Sequence, residues 1–284
     1  LIPPEYHNAL SHRQGKIVRI PTMSYDYPLK DLLALVDSGH FFLKIKIGQA
    51  GTPEEMVRKD QERLTEIHRA LQGKSSPYTH NGKIIYYLDA NARYPDKANL
   101  WKLIDHADCI GMLEQIALVE EPFPEEVKVE VDDIPVRVAA DESLHDMASV
   151  NERINLSYKA MAIKPAGKTL SMSIQMAHAA CQRGIPCFVA DNACVPLLVE
   201  WNKNFAARLS PFPGLSMGIL ESNGTQNYRH WKKMIQDHPL HGVGWIEPRR
   251  GVYHLDDDFY RTSGGILLKP GHNPIRRMGK RPDT

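Results

Sequence analysis

The sequence predicts an α/β protein in which short parallel strands alternate with helices and close into a barrel. Three observations predict it. Eight apolar runs, several rich in Val and Ile and without clean alternation, have the pattern of parallel strands buried on both faces. Amphipathic stretches of helical period fill the gaps between them. The 284 residues are enough for such a barrel, which takes about 250. The competing open, doubly wound sheet lacks its usual Gly-x-Gly-x-x-Gly turn here, and eight near-regular repeats favour closure.

The strands are expected at 17–23, 42–47, 84–88, 116–119, 136–140, 160–163, 187–190 and 215–220. The first helix, 29–38, stops at Gly39. The second, 52–71, opens on a capping box: Thr52 caps, Pro53 suits the first helical position, and Glu55 stands three residues on. Further helices are expected at 96–107, 146–154, 169–183 and 196–209. The segment after Pro124 is acidic and short and is a poor helix candidate. Residues 17–224 thus form the barrel, 1–16 a leading linker, and 225–284 a C-terminal extension richer in His, Arg, Asp and Gly.

Composition narrows the function. A net charge of +1 lacks the basic excess of a nucleic-acid protein. No apolar stretch approaches 18 residues, so no membrane partner is expected. Cys109, Cys181, Cys187 and Cys194 form no Cys-x-x-Cys pair and read as reduced, mostly buried thiols of a cytoplasmic protein. The N-terminus has no signal-peptide pattern and no initiator Met. The basic run Arg276-Arg277-Met278-Gly279-Lys280-Arg281 reads as a solvated terminus.

Chemistry in such barrels sits at the carboxyl ends of the strands. The second strand reads Leu43-Lys44-Ile45-Lys46-Ile47. Side chains two apart share a face, so packing Ile45 and Ile47 on helices sends Lys44 and Lys46 into the barrel. The third, fourth and fifth strands end in Asp89, Glu120 and Asp141, spaced 31 and then 21 residues apart. One acidic strand end is ordinarily a cap or turn; three in succession after buried runs point to oxygen ligands for a hard cation, Mg²⁺. The sixth strand ends in Lys164. In a ring of eight it lies opposite the second, so Lys46 and Lys164 face each other across the mouth. A carboxylate on the metal has its α-proton acidified because the ion stabilises the ene-diolate. One lysine removes the proton, and the other returns it on the opposite face. Lys44 and the cation are expected to lower the pKa of the base.

Lys-x-Lys, Asp-x-Asn, Glu-Glu-Pro, Asp-Glu-Ser and Lys-Pro, in that order over residues 18–223, resemble the enolase superfamily. The muconate lactonizing enzyme subgroup, with its dipeptide epimerases and o-succinylbenzoate synthases, is the most similar part. The resemblance implies a TIM-type (β/α)7β barrel with an N-terminal capping domain, here largely absent, of which 1–16 would be the remnant. It implies Asp89, Glu120 and Asp141 as metal ligands, Asn91 and Glu142 as groups that orient them, Lys46 and Lys164 as the acid/base pair, and Lys44 as auxiliary. Two departures stand out. Gly167-Lys168-Thr169 replaces the Gly-Gly that often follows the sixth-strand lysine, and Asp191-Asn192 stands where mandelate racemase-like members carry a His.

Dipeptide epimerases hold the substrate ammonium with Asp-x-Asp at the eighth strand. This chain has Glu221-Ser222-Asn223 there, so Glu221 and Asn223 become substrate-binding candidates. Asp191 is a third, with a helix-capping role before Pro196 as its alternative. His145 and His178, on or near helices, read as structural. The expected activity is Mg²⁺-dependent racemisation or epimerisation α to a carboxylate, on a dipeptide or N-acyl amino acid. The alternatives are a lyase or cycloisomerase using the same intermediate, and a non-catalytic barrel that binds metal and ligand. The expected partner is a small carboxylate; homo-oligomerisation stays open.

Overall fold

The first expected strand is broken by Pro21, and that break explains how the sheet closes. A computed structural model of the chain describes residues 3–191 and 193–269. In it, β1 (Lys16–Ile20) and β2 (Thr22–Met23) flank Pro21, which has no N–H to give a ladder. β1 pairs in parallel with β9 (Gly218–Glu221), and β2 pairs in parallel with β3 (Phe42–Lys46). One interrupted stretch of chain therefore meets both the second and the last barrel strand, and the sheet curls into a barrel. Between them run β4 (Ile85–Asp89), β5 (Ile116–Glu120), β6 (Val138–Ala140), β7 (Ala160–Ile163) and β8 (Cys187–Val189), each parallel to its neighbours.

The crossover helices are α1 (Leu29–Asp37), α2 (Pro53–Ala70), α3 (Lys97–Cys109), α4 (Met147–Asn155), α5 (Leu170–Cys181) and α6 (Pro196–Ala206). The Thr52–Glu55 capping box forms as expected. Asp96, Asp146 and Thr169 cap α3, α4 and α5 through their side chains. The seven helices of the (β/α)7β pattern are not all present: among the described residues the β5–β6 crossover carries none. Pro122, Pro124 and Pro135 break this stretch, and each disfavours helical backbone at the residue before it.

The chain beyond the barrel folds back on it. After α7 (Gly224–Asn227) and α8 (Trp231–Gln236), β10 (Val252–His254) adds antiparallel to β1, pairing Val18 with Val252. α9 (Asp257–Thr262) follows. Leu240, Trp245, Val252 and Phe259 are buried in the same core as the barrel strands. Tyr260 donates to the Gln14 carbonyl at 2.7 Å, tying this return to the chain before β1. The basic run 276–281 and Asn192 lie outside the described residues.

All four cysteines are free, but the expectation of burial fails for two: Cys109 and Cys181 are exposed at the ends of α3 and α5, Cys187 is half-buried and Cys194 is buried. Among the described residues no helix is long and apolar enough to cross a membrane.

Candidate active site

Strand register puts the chemistry in one layer. Lys46 pairs with Asp89 and Asp89 with Glu120 across three adjacent parallel strands. Thr22 pairs with Lys44, and Ile20 with Glu221. Ile45 is buried under the helices, so Lys44 and Lys46 point inward as the alternation requires. The mouth is therefore lined by side chains from β2, β3, β4, β5 and β9 and from the loops after β6 and β7.

Lys44 stands at the centre, almost fully buried. Its Nζ lies 2.8 Å from Asp89 Oδ2, 2.7 Å from Glu120 Oε2 and 2.9 Å from Glu221 Oε2, above the Tyr87 ring at 4.6 Å. Burial alone would lower its pKa, but Glu120 and Glu221 outweigh that and hold it well above the ordinary lysine value. Lys46 Nζ donates to Asp89 Oδ2 and Asn91 Oδ1, both at 2.5 Å. Asn91 in turn donates to Glu142 Oε1 at 2.9 Å. Lys164 Nζ reaches Asp141 Oδ2 at 2.7 Å. Both outer lysines keep about a fifth of their side chain open to solvent (22% and 20%), so neither is sealed off from a ligand.

The acids differ in electrostatics. Burial works against an ionised Asp89, yet Lys44 and Lys46 pull its pKa well below the usual carboxylate range. Glu120 is raised, first by burial and then by Asp89 and Asp141, against the pull of Lys44. Glu142 is raised by burial and by Asp141. Lys164 would be lowered by burial but is raised by Asp141. Lys44 and Lys164 are both held above the ordinary lysine value because each amine rests directly on a carboxylate.

Asp89, Glu120 and Asp141 all reach the mouth and are all buried. Among the described residues no group of three or more His, Cys, Asp and Glu is arranged to hold a metal ion. The Lys44 ammonium rests on Asp89 and Glu120 of the expected triad and on Glu221, while Asp141 meets Lys164. The donor chemistry still fits a hard cation. Glu120 Oε1 and Asp141 Oδ1 are buried without a hydrogen-bond partner, and a buried carboxylate oxygen without a donor is costly.

The substrate candidates separate. Glu221 is occupied: Lys44 holds Oε2, and Thr22 Oγ1 donates to Oε1 at 2.8 Å. Asp191 accepts from the backbone N–H of Cys194 and of Asn223, each at 2.8 Å, which joins the loops after β8 and β9. Asn223 is half-buried and accepts from the Asn227 side chain at 2.6 Å. His145 pairs with Glu125 at 2.8 Å, and His178 packs edge-on against Tyr6, both away from the mouth lysines.

Two residues escaped the sequence reading. Glu121, the second Glu of Glu-Glu-Pro, is buried and accepts from Asp141 N at 2.6 Å, Ser143 Oγ at 3.0 Å and Ser143 N at 3.3 Å. It fixes the loop that carries Asp141. Its backbone adopts φ +37°, as Asn91 (+44°) and Ala92 (+59°) do on the neighbouring loop, a left-handed region costly to non-glycine residues. Asp60 of α2 accepts from Gly48 N at 2.6 Å and Tyr94 Oη at 2.8 Å, which anchors the turn after Lys46. Glu121 had a signal in its adjacent acid; Asp60 had only the look of a helix surface residue.

No family model matches the sequence, and no curated protein matches it. Solved structures do. A mandelate racemase/muconate lactonizing protein from Herpetosiphon aurantiacus superposes with a TM-score of 0.66 at 17% identity, over 89% of this chain and 68% of that one. The L-Ala-D/L-Glu epimerase from Bacillus subtilis gives 0.63 at 18%, over 79% and 58%. A dipeptide epimerase from Cytophaga hutchinsonii, complexed with Mg and the dipeptide D-Ala-L-Val, gives 0.66 at 16%, over 87% and 63%. The fold of this chain is the barrel fold of these enolase-superfamily proteins, and the chain spans 58–68% of their length.

Proposed function

We propose that this chain is an enolase-superfamily enzyme that moves a proton α to a carboxylate, as a racemase or epimerase of a small acid. The observation that carries the reading is the placement of Lys46 and Lys164. They come from β3 and from the end of β7, four barrel strands apart, and each is tethered to a different acid of one buried cluster while remaining open to the mouth. Mg²⁺ held by Asp89, Glu120 and Asp141 would polarise the substrate carboxylate and make its α-proton acidic. Lys46 takes the proton from one face and Lys164 delivers one to the other. Asn91 holds Lys46 in line, Glu142 holds Asn91, and Glu121 fixes the Asp141 loop beneath Lys164. Residues 17–224 supply this site, and residues 225–269 pack against the barrel that carries it.

The test is exchange of the substrate α-proton with deuterated solvent, across a library of N-acyl amino acids and dipeptides. Lys46→Ala and Lys164→Ala should each lose exchange from one enantiomer by about 10²–10⁴-fold. Full exchange from both enantiomers in either variant would overturn the two-base scheme.

A second reading, a lyase or cycloisomerase, is favoured by Glu221. With Lys44 and Thr22 on its two oxygens, Glu221 is not free to receive a substrate ammonium. Elimination or ring opening without racemisation would identify this reading, with one lysine acting chemically and the other stabilising charge.

A further inference from the structure

The opposite end of the barrel carries its own charged cavity. The amino-terminal ends of β5 to β8 border a space of about 470 Å³, within the range of small-ligand sites. Arg137, Lys159 and Arg183 line it, and no Asp or Glu does. Pro135, Pro186 and Pro213 contribute apolar wall surface without backbone donors, and the charged groups of the lining are the three cations.

Arg137 is the central one. It precedes β6 by one residue and shares a strand face with Ala139 and Asp141, so it enters the barrel foot where Asp141 enters the mouth. Its guanidinium has no hydrogen bond or ion pair among the described residues, and burial lowers its pKa with no carboxylate opposing the shift. A half-buried guanidinium without a protein partner keeps its donors free for an anion. Lys159 spends one donor on the Asp132 carbonyl at 2.8 Å, and Arg183 one on the Ala179 carbonyl at 3.4 Å, which leaves both charges uncompensated. A second space of about 280 Å³ shares Ile116, Arg137 and Pro213 with the first, so Arg137 borders both. The acid lining that second space, Glu114, is paired with Lys83 at 3.2 Å.

We propose that this cavity at the barrel foot binds a small organic phosphate, with the phosphoryl group on Arg137, Lys159 and Arg183 and the organic body against the proline walls. Three cations around one space suit a dianion better than a carboxylate, and the planar guanidinium offers paired donors to two phosphoryl oxygens. The site is independent of the chemistry at the mouth.

Phenyl phosphate is the probe, titrated against the full chain and followed by its ³¹P resonance at physiological salt. Saturable binding to one site is expected. Arg137→Met should weaken it about tenfold or more, and the exposed pair Lys159→Ala/Arg183→Ala by several-fold, with circular dichroism unchanged. Lys46→Ala, at the mouth, should leave it unaffected. If Arg137→Met fails to fold, the exposed double variant decides alone. No saturation at millimolar probe, undiminished binding in the double variant, or loss of binding in Lys46→Ala would each overturn the proposal.

Discussion

The lower and upper halves of the barrel interior are built by the same strands and could hardly differ more. Below, Phe42 and Phe188 each meet both Tyr87 and Phe212 edge to face, with ring centroids 5.6 to 6.4 Å apart. Two residues further along the strands the inward positions become Lys44, Asp89 and Glu120, joined by Asp141, Lys164 and Glu221. The aromatic layer stabilises by burial and by quadrupolar contacts worth about 0.5–1.5 kcal/mol a pair. The ionic layer does not: desolvation offsets much of its attraction, and its loops hold non-glycine residues at positive φ. The contrast teaches that the fold rests on the foot of the barrel, and the mouth is tolerated for what it does.

The sharpest way to break that contrast is Phe188→Ala, which opens a cavity in the aromatic layer and should cost about 3–5 kcal/mol. Denaturant midpoints measure it, and a cost under about 1 kcal/mol would show that stability does not reside there. Lys44→Met comes next. It leaves Glu120 without an ion pair and facing Asp89 and Glu221, which keep Lys46 and Thr22, at about 3 kcal/mol without added metal. Excess Mg²⁺ should then restore about 2–3 kcal/mol, more than it adds to the unsubstituted chain. An identical response of the two proteins to Mg²⁺ would count against cation binding by these acids. Glu121→Gln weakens three bonds to the Asp141 loop without opening space and should cost about 1–2 kcal/mol, read from the same midpoints.

The smallest expected effect is on pH dependence and lies outside both layers. Burial, with Lys203 nearby, lowers His238 from 6.5 to about 4; burial and Arg19 do the same to His40. The unfolded chain therefore binds more protons at both sites between pH 4 and 6.5, and their contribution, present above pH 6.5, is lost as pH falls. Glu200, raised from 4.5 to about 6 by burial despite Lys203, acts in the opposite direction as pH rises to 6. Of these three groups the two histidines carry the larger shifts, so their combined contribution to stability falls on acidification through this window. His238→Gln should flatten the thermal-midpoint profile there, and an unchanged profile would refute the assignment.

Much of this was legible in the residues themselves. Seven of the eight strand runs and all six crossover helices appear within a few residues of their expected bounds, because long buried runs and caps such as Thr52–Glu55 are local signals. The inward pointing of Lys44 and Lys46 followed from alternation against Ile45 and Ile47. What alternation does not carry is who meets whom. Glu221, expected as a substrate contact, is also a partner of Lys44 from 177 residues away, which no local pattern shows. Asp60 looked like one more polar residue on α2 and is buried as the anchor of the Gly48 turn.

By itself the sequence determined the order of strands and helices and which side chains enter the barrel, since these depend on spacing along one strand or one turn. Only the tertiary structure decided that the stretch interrupted at Pro21 pairs with two neighbours at once, that Asp60 anchors the turn at Gly48, and that the Lys44 ammonium stands among Asp89, Glu120 and Glu221. Each of these depends on charges, donors and volumes brought together from distant parts of the chain. There the cost of burying a polar group is settled by its neighbours in space, and local pattern carries no record of them.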